Sequence, residues 1–258
     1  MESPRHRLYG DLAWLFPILT PLAQYGEETD RFADLIRGRA GILVRSLLHL
    51  GCGAGHNDFT FKRHFDLTGV DRSAEMLDMA GKLNPEAAYV QGDFRTIRLG
   101  RTFDAVAAVD SLDYLRTADD WRAVAQTAYV HLNPGGIFFF LLEQTRETFL
   151  QNNTVTNTRA FEGGTVTVIE HMYDPDPADT TYESTFVFII RRGGTRTVES
   201  EIHELGLFSA GELAAFLEEA GFRTERLTYA PPASAVAGSG LTGQETFPMF
   251  IGLKPLVR

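Results

Sequence analysis

The chain has 258 residues, of which 44% are hydrophobic and 22% charged, so it can bury a full hydrophobic core and has the composition of a soluble globular protein. Its formal net charge of -10 argues against a large nucleic-acid surface, because phosphate binding relies on clusters of Lys and Arg. The single cysteine, Cys52, excludes an intramolecular disulfide and argues against a structural zinc site.

The N-terminal residues 1–40 predict a helical lead-in that is broken near Pro17 and Pro21. The apolar segment 12–22 contains both prolines and is too short for a membrane span, and no signal peptide is apparent. We therefore expect a cytoplasmic protein without a membrane partner. Three aromatic side chains of this region are candidates for a lid over a bound ligand: Tyr9, Trp14 and Tyr25.

From residue 45 onward, short apolar runs alternate with helical stretches, which is typical of a parallel sheet with right-handed crossovers. Asn133-Pro134-Gly135-Gly136 is a sharp break that ends a helix and precedes a strand. The predicted strands are 46–50, 67–70, 88–91, 103–109 and 137–142. The predicted helices between them are 57–65, 73–83 and 117–131.

Residues 144–208 have a different pattern, with β-rich runs at 165–173, 182–191 and 195–207. Gly193-Gly194 predicts a hairpin turn between the last two runs, which indicates an antiparallel insertion. We expect this insertion to line an acceptor pocket, to pair two subunits in a homodimer, or to do both.

The alternating α/β pattern then resumes and continues to the C-terminus. Ser209 and Glu212 form a capping box at the start of a helix that ends at Gly221. After this helix we predict, in order, a strand at 223–229, a loop rich in Pro and Gly at 230–242 and a strand at 247–253. We therefore expect an α/β protein with four regions, at 1–40, 41–143, 144–208 and 209–258.

The most informative segment is a glycine turn after the first predicted strand. Gly51, Gly53 and Gly55 occupy alternate positions, and Asp71 ends the next strand. Glycines let a ligand approach the backbone closely, and an acid at the tip of the second strand accepts hydrogen bonds from two ribose hydroxyls. A dinucleotide fingerprint would need its third glycine at His56, so a nicotinamide-dependent oxidoreductase is disfavoured. The pattern predicts a nucleoside site.

The G-x-G-x-G spacing resembles motif I of the class I S-adenosylmethionine (SAM) methyltransferases. Further motifs of that family follow in order: Val70-Asp71-Arg72-Ser73, Gln91-Gly92-Asp93-Phe94, Asp110-Ser111-Leu112 and Leu132-Asn133-Pro134-Gly135-Gly136. The resemblance covers residues 45–143 and 208–255. It implies a Rossmann-like seven-stranded sheet with helices on both faces and an antiparallel β insertion after the fifth strand. It also implies that SAM is the methyl donor and S-adenosylhomocysteine the product.

The same resemblance implies roles for individual residues. Asp71 would bind the ribose, and Arg72 or Met76 would lie along the adenine. Asp93 would accept a hydrogen bond from the adenine amino group, and Phe94 would flank the ring. The full set of residues expected to contact SAM is Gly51, Cys52, Gly53, Gly55, Asp71, Arg72, Met76, Asp93, Phe94, Asp110, Ser111 and Tyr25.

The exit from the insertion, His203-Glu204-Leu205-Gly206-Leu207-Phe208-Ser209, is similar to small-molecule N-methyltransferases such as the amino-sugar N,N-dimethyltransferases and the glycine N-methyltransferases. No D/N-P-P-Y motif follows the fourth strand, where the chain has Asp110-Ser111-Leu112-Asp113, so the planar amino groups of nucleobases are disfavoured as acceptors. The acidic metal ligands of catechol O-methyltransferases are not apparent, and a metal-free site is expected.

An amine that accepts a methyl group must be neutral, so an ammonium acceptor first loses a proton to a nearby base. Such a base is expected beyond the carboxyl ends of the strands. The favoured function is methylation of a nitrogen on a small metabolite, such as an amino sugar or an amino acid. The alternatives are a hydroxyl acceptor and a non-catalytic protein that binds SAM or its demethylated product. The candidates for catalysis are Glu143, Tyr114 and His171. Further polar groups expected near the same carboxyl edge of the sheet are Asp110, Asp113 and His203.

Overall fold

The computed structural model describes residues 6–236, 243 and 245–256, which form two β-sheets and several helices. The strands are β1 (Ser46–Leu50), β2 (Asp66–Asp71), β3 (Ala88–Gln91), β4 (Phe103–Val109), β5 (Leu132–Leu141), β6 (Asn153–Phe161), β7 (Gly164–Tyr173), β8 (Thr181–Arg192), β9 (Thr195–Gly206), β10 (Arg223–Tyr229) and β11 (Phe247–Leu253). The α-helices are α1 (Phe16–Leu19), α2 (Gly26–Arg39), α3 (Asp58–Phe61), α4 (Ala74–Leu83), α5 (Ala118–His131), α6 (Ala210–Glu219) and α7 (Ala233–Val236).

Seven strands form the core sheet, in the order β10-β11-β5-β4-β1-β2-β3. The strands β1 to β5 are parallel, whereas β11 is antiparallel to β5 and β10 is antiparallel to β11. The predicted Rossmann-like methyltransferase sheet is thereby confirmed. The chain passes from β1 outward to β3 and returns to β4 on the other side of β1. Sheets of this kind bind ligands at such a reversal, beyond the carboxyl ends of the strands.

Alternate residues of the central strands face opposite sides of the core sheet and are covered by different helices. Leu48 and Phe138 belong to the apolar cluster beneath α5 and α6. Leu47 and Phe139 belong to the cluster beneath α2 and α3. Because both faces of these strands are buried, the strands consist of continuous apolar runs. The prediction of helices on both faces is confirmed.

Two core elements differ from the prediction in their bounds. β5 begins at Leu132, before the Asn133-Pro134-Gly135-Gly136 segment, because Leu132 already pairs with Phe103 of β4. The register between the two strands then shifts before Ala105, so the Pro-Gly segment is an irregular part of the strand and not a loop ahead of it. The helix predicted at 57–65 is confined to the single turn of α3.

The insertion is a four-stranded antiparallel sheet, ordered β6-β7-β8-β9, and not the three strands expected. β6 was missed because it is rich in Thr and Asn and has no apolar run to indicate a strand. The predicted turn at Gly193-Gly194 does join β8 to β9, with both glycines at positive φ. Leu12 and Leu15 pack on Val166 and Phe188 of the insertion, so the N-terminal segment lies against this second sheet.

The loop predicted at 230–242 contains the short helix α7. Residues 237–242 of this loop and residues 1–5 of the N-terminal segment lie outside the described residues. No helix in the described part of the chain is long and apolar enough to cross a membrane. The division into four regions, the cytoplasmic location, the homodimer and the lack of a nucleic-acid partner stay predictions.

Gly206, at the end of β9, lies directly against the core. A Cβ built on Gly206 overlaps the backbone carbonyl oxygen of Leu115, which cannot move aside as a flexible side chain could. We expect Gly206→Ala to lower the free energy of unfolding by about 1–3 kcal/mol, the usual cost of overpacking. Chemical denaturation measures this value. Gly211→Ala is the control, because Gly211 in α6 has room for a Cβ and alanine favours a helix. Equal stability of Gly206→Ala and the unchanged protein would contradict the close approach.

Candidate active site

The glycine turn after β1 combines three glycines that serve different purposes. Gly51, Gly53 and Gly55 all have positive φ, at 72°, 52° and 76°. A side chain at Gly51 would overlap Ser111, and one at Gly55 would press on Asn84, so these two glycines are required by packing within the protein. A Cβ on Gly53 would meet nothing within 4 Å. The turn is therefore open to a ligand at Gly53.

Asp71 is held at the end of β2 by two backbone hydrogen bonds. Its Oδ2 accepts from the Gly53 amide at 2.9 Å, and its Oδ1 accepts from the Ser73 amide at 2.8 Å. Burial raises the pKa of Asp71, although these hydrogen bonds oppose the shift. A carboxylate has about four lone-pair sites, so two accepted bonds leave capacity for a ligand.

A cavity of about 520 Å³ extends from the glycine turn to the insertion and the N-terminal segment. This volume lies in the usual range of small-molecule sites, about 300–1,000 Å³. Most of the residues predicted to contact SAM or the acceptor line this cavity. They are Gly51, Cys52, Gly53, Asp71, Arg72, Met76, Phe94, Asp110, Ser111, Tyr25, Tyr114 and Glu143.

Asp93 and Gly55 do not line the cavity. The Asp93 carboxylate instead pairs with the guanidinium of Arg95, with Nη2 at 2.6 Å from Oδ2. Arg95 also donates to Asp120 at 2.6 Å. Although burial opposes it, the contact with Arg95 lowers the pKa of Asp93 below its usual value. The expected hydrogen bond from the adenine amino group to Asp93 thus has no support in this geometry.

His171, a predicted catalytic residue, is also absent from the cavity wall. It lies on the other face of the insertion, where its Nδ1 is 2.8 Å from Oγ1 of Thr154. Successive side chains of a strand point to opposite faces, and its neighbour Glu170 lines the cavity instead. Sequence reasoning missed Glu170, although the buried Val166 and Met172 indicate which face of β7 points inward.

Two carboxylates face the cavity from the ends of the central strands. Asp110, which follows β4 and has a φ of 52°, and Glu143, which follows β5, are both exposed to the cavity space. Asp110 lies deep within the protein, and the resulting loss of solvation, together with the negative charge of Glu28, raises its pKa to about 7. Burial and the charges of Glu170 and Asp113 raise the pKa of Glu143 well above its usual range. The cavity therefore has an acidic wall whose carboxylates interact electrostatically.

Asp113 supports this wall from behind. It is 6% exposed, and its Oδ1 accepts a hydrogen bond from the Glu143 amide at 3.2 Å. Burial, together with the charge of Asp110, raises the pKa of Asp113 to about 7. Carboxylates with mutually raised pKa values are stabilised either by protonation or by the binding of a cation.

Only two of the three aromatic side chains predicted to form a lid line the cavity. Tyr9 and Tyr25 line it, but Trp14 packs edge-on against Phe161 of the insertion, with ring centroids 5.8 Å apart. Tyr9 contacts the opposite wall, since its hydroxyl is 2.8 Å from that of Tyr114. The N-terminal segment thus closes one side of the cavity through its tyrosines.

Tyr114 also contacts His203, whose Nδ1 lies 2.8 Å from the phenol oxygen. His203 Nε2 is 3.1 Å from Oε2 of Glu201, and the His6 ring lies 3.9 Å from the His203 ring. Sequence reasoning missed Glu201 and His6. The spacing of 201 and 203 on one face of a predicted strand was the available signal for Glu201.

His6, Glu201 and His203 have potential metal-ligand atoms within 4.8 Å of one another. The Glu201 oxygens and Nδ1 of His203 already have hydrogen-bond partners in the protein. Both oxygens of Glu201 accept backbone hydrogen bonds, from Arg7 at 2.7 Å and Leu8 at 3.0 Å. The metal-free site expected from the sequence stays a prediction.

Comparisons with known proteins agree with this geometry. A model described as a methyltransferase domain matches residues 47–136. The dTDP-3-amino-3,4,6-trideoxy-alpha-D-glucopyranose N,N-dimethyltransferase of Streptomyces venezuelae is 34% identical over 209 residues, which are 80% of this chain and 87% of that relative. The dTDP-4-amino-2,3,4,6-tetradeoxy-D-glucose N,N-dimethyltransferase of Saccharopolyspora spinosa is 29% identical over 209 residues, 80% of this chain and 82% of that relative.

Solved structures show the same fold over nearly the whole chain. The crystal structure of Streptomyces venezuelae DesVI has a TM-score of 0.79 and 29% identity, and covers 98% of this chain and 99% of its own. SAM-bound CalS10, an amino pentose methyltransferase from Micromonospora echinaspora, has a TM-score of 0.76 at 23% identity, with 98% and 99% coverage. The open face of Gly53 and the fixed carboxylate of Asp71 fit the nucleoside part of SAM. The chain therefore belongs to the class I SAM-dependent methyltransferases, in the family that includes the amino-sugar N,N-dimethyltransferases.

Proposed function

We propose that the protein transfers methyl groups from SAM to the amino nitrogen of a nucleotide-linked amino sugar, twice in succession. One observation carries the proposal: the cavity that contains the nucleoside cradle also contains the carboxylates of Asp110 and Glu143. A negative wall attracts an ammonium group, whereas a neutral hydroxyl acceptor would gain little from it. The names of the relatives supply the amino-sugar class.

On the donor side, the carboxylate of Asp71 accepts hydrogen bonds from the ribose, and the open backbone at Gly53 lies under the nucleoside. Met76 and Phe94 contribute apolar surface for the adenine, and both line the cavity. SAM supplies an activated methyl group when bound. The remaining predicted contacts that line the same cavity are Gly51, Cys52, Arg72, Asp110, Ser111 and Tyr25.

On the acceptor side, Glu143 and Asp110 hold the amine by charge, and Tyr114 lies on the same wall. Without a bound amine, the raised pKa values of these carboxylates favour their protonated forms. A bound ammonium group lowers those pKa values, so the carboxylates lose their protons as the acceptor binds. Arg116, which pairs with Glu204, also lines the cavity and is suited to the phosphates of a nucleotide-linked sugar. The protein then aligns the nitrogen with the methyl group and excludes water.

The function itself is tested with dTDP-3-amino-3,6-dideoxy-alpha-D-glucopyranose as the acceptor and SAM as the donor. We expect two successive mass increases of one methyl group each, because a secondary amine keeps a lone pair for the second transfer. Mass spectrometry of the product and of the S-adenosylhomocysteine formed provides the readout. An intact acceptor after long incubation, with this and the 4-amino analogue, would refute the amino-sugar assignment.

Asp71→Ala tests the donor site. Removal of a carboxylate that accepts hydrogen bonds from the ribose should weaken SAM binding by about tenfold or more, the scale of a charge-assisted hydrogen bond. Isothermal titration calorimetry measures the affinity. Asp66→Ala is the matched control, because Asp66 lies at the opposite end of the same strand and should leave the affinity unchanged. Unreduced affinity in Asp71→Ala would remove Asp71 from the donor site.

Glu143→Gln tests the acidic wall with an isosteric change. The loss of the negative charge should raise KM for the amino sugar by about tenfold at neutral pH and leave SAM binding intact. Steady-state kinetics with calorimetry separates the two effects. Glu183→Gln is the control, since Glu183 lies on the insertion outside the cavity wall. An unaltered KM in Glu143→Gln would show that its charge does not hold the acceptor.

A further inference from the structure

We propose that His203 and Glu201 are positioning residues that act through Tyr114, and that together the three groups take the proton that the acceptor amine loses. Tyr114 is the group that touches the substrate, and the other two orient it and receive its proton. This inference rests on the proposed function, because it requires an acceptor that arrives as an ammonium ion.

The three groups form a continuous chain from the cavity into the protein. The Tyr114 hydroxyl, on the cavity wall, is 2.8 Å from Nδ1 of His203. On the far side of the ring, Nε2 is 3.1 Å from Oε2 of Glu201. His203 is only 1% exposed, so these neighbours and not bulk water surround its ring during the transfer, and the proton leaves to water between turnovers.

The ionisation state of Glu201 determines which of these groups donates and which accepts. Burial alone would raise its pKa, but contact with His203 and the backbone amides of Arg7 and Leu8 lowers it, so the carboxylate is ionised. An ionised carboxylate only accepts, so the proposed relay has the His203 proton on Nε2, the ring nitrogen 3.1 Å from Glu201, and uses Nδ1 as the acceptor. The Tyr114 hydroxyl must then donate its one proton to Nδ1.

Tyr9 completes the arrangement. Because the Tyr114 proton is committed to His203, the hydrogen bond of 2.8 Å between the two tyrosines must run from Tyr9 to Tyr114. The Tyr114 oxygen therefore presents only a lone pair to the cavity. A hydroxyl of this polarity accepts from an N–H group and has no proton to offer to the nitrogen.

The proton transfer balances within these groups. An N–H bond of the ammonium breaks, its electron pair stays on nitrogen, and the proton moves to the Tyr114 oxygen. The original Tyr114 proton passes to Nδ1 of His203, which becomes an imidazolium beside the Glu201 carboxylate. The nitrogen lone pair then attacks the methyl carbon, and the electron pair of the broken carbon–sulfur bond stays on sulfur. Neutral phenol is the resting form, since burial and contact with Tyr9 raise the pKa of Tyr114 well above its usual range.

Two further side chains pack around His203. Glu170 of β7 interacts with it electrostatically, and the ring centroid of Phe186 of β8 lies 4.7 Å from that of His203. His6 stacks on the ring from the N-terminal segment, but burial and the positive charge of His203 lower the pKa of His6 to about 4. His6 is thus neutral at the working pH and does not compete for the proton.

His203→Asn tests the proposal, because asparagine can still accept the Tyr114 hydrogen bond but cannot bind a proton. We expect kcat at neutral pH to fall by about 100-fold, within the range for loss of a general base. KM for dTDP-3-amino-3,6-dideoxy-alpha-D-glucopyranose and the affinity for SAM should stay within about twofold of the unchanged protein. Activity should recover as the pH approaches the pKa of the substrate amine, because the acceptor then arrives deprotonated.

His171→Asn is the matched control, since it removes a histidine from the outer face of the same sheet. Tyr114→Phe should reproduce the defect, and the double variant should be no slower than Tyr114→Phe, because the two groups act as one unit. A pH profile of His203→Asn that parallels the unchanged protein, or a defect confined to SAM binding, would overturn the proposal.

Two measurements do not depend on the variants. Nitrogen NMR of histidine-labelled protein should show His203 protonated at Nε2 and bare at Nδ1, and the opposite tautomer would overturn the proposal whatever the acceptor. Treatment with a chelator should leave the pH profile unaltered, whereas loss of activity that zinc restores would make His203 a metal ligand. Lack of turnover in the unchanged protein, with the expected tautomer present, would instead count against the proposed function.

Discussion

The hydrogen bond of 2.9 Å from the Gly53 amide to the Asp71 carboxylate joins the turn after β1 to the end of β2, and the donor side of the cavity depends on it. The Val70 carbonyl strengthens the same junction by accepting from the amides of Gly51 and Cys52 at 2.8 and 3.0 Å. A turn fixed at three points needs no ligand to form. Binding then orders few additional groups, which preserves affinity.

The acceptor side is assembled differently, from segments that are remote in the sequence. Glu201 of the insertion accepts hydrogen bonds from the backbone of Arg7 and Leu8, and Tyr9 contacts Tyr114 across the cavity. The rigid core sheet thus provides the donor site, while the N-terminal segment and the second sheet shape the space beyond it. Such a division lets one scaffold serve many acceptors, because peripheral segments tolerate change better than the core.

Electrostatics link the two parts. Carboxylates that interact electrostatically, such as Asp110 and Glu143, raise the cost of ionising each other, and a cation relieves this cost. The side chains of His203 and Glu201 are also buried, with Nε2 and Oε2 3.1 Å apart, and in the proposed relay the carboxylate stabilises the imidazolium beside it. A site of this kind distinguishes an ammonium from a neutral group by charge before any finer recognition takes place.

The sequence by itself determined the core sheet, the glycine turn, the acid Asp71 and the presence of an antiparallel insertion, because these follow from local patterns of apolar alternation and turn glycines. Only the tertiary structure decided which polar groups reach the cavity. Asp93 follows its strand as expected, but the guanidinium of Arg95, which also donates to Asp120 of α5, occupies its carboxylate. His171 and Glu170 are neighbours in the chain and lie on opposite faces of β7. A shift of one residue in a strand reverses the direction of every side chain, and packing between distant segments, which no local pattern encodes, fixes that choice.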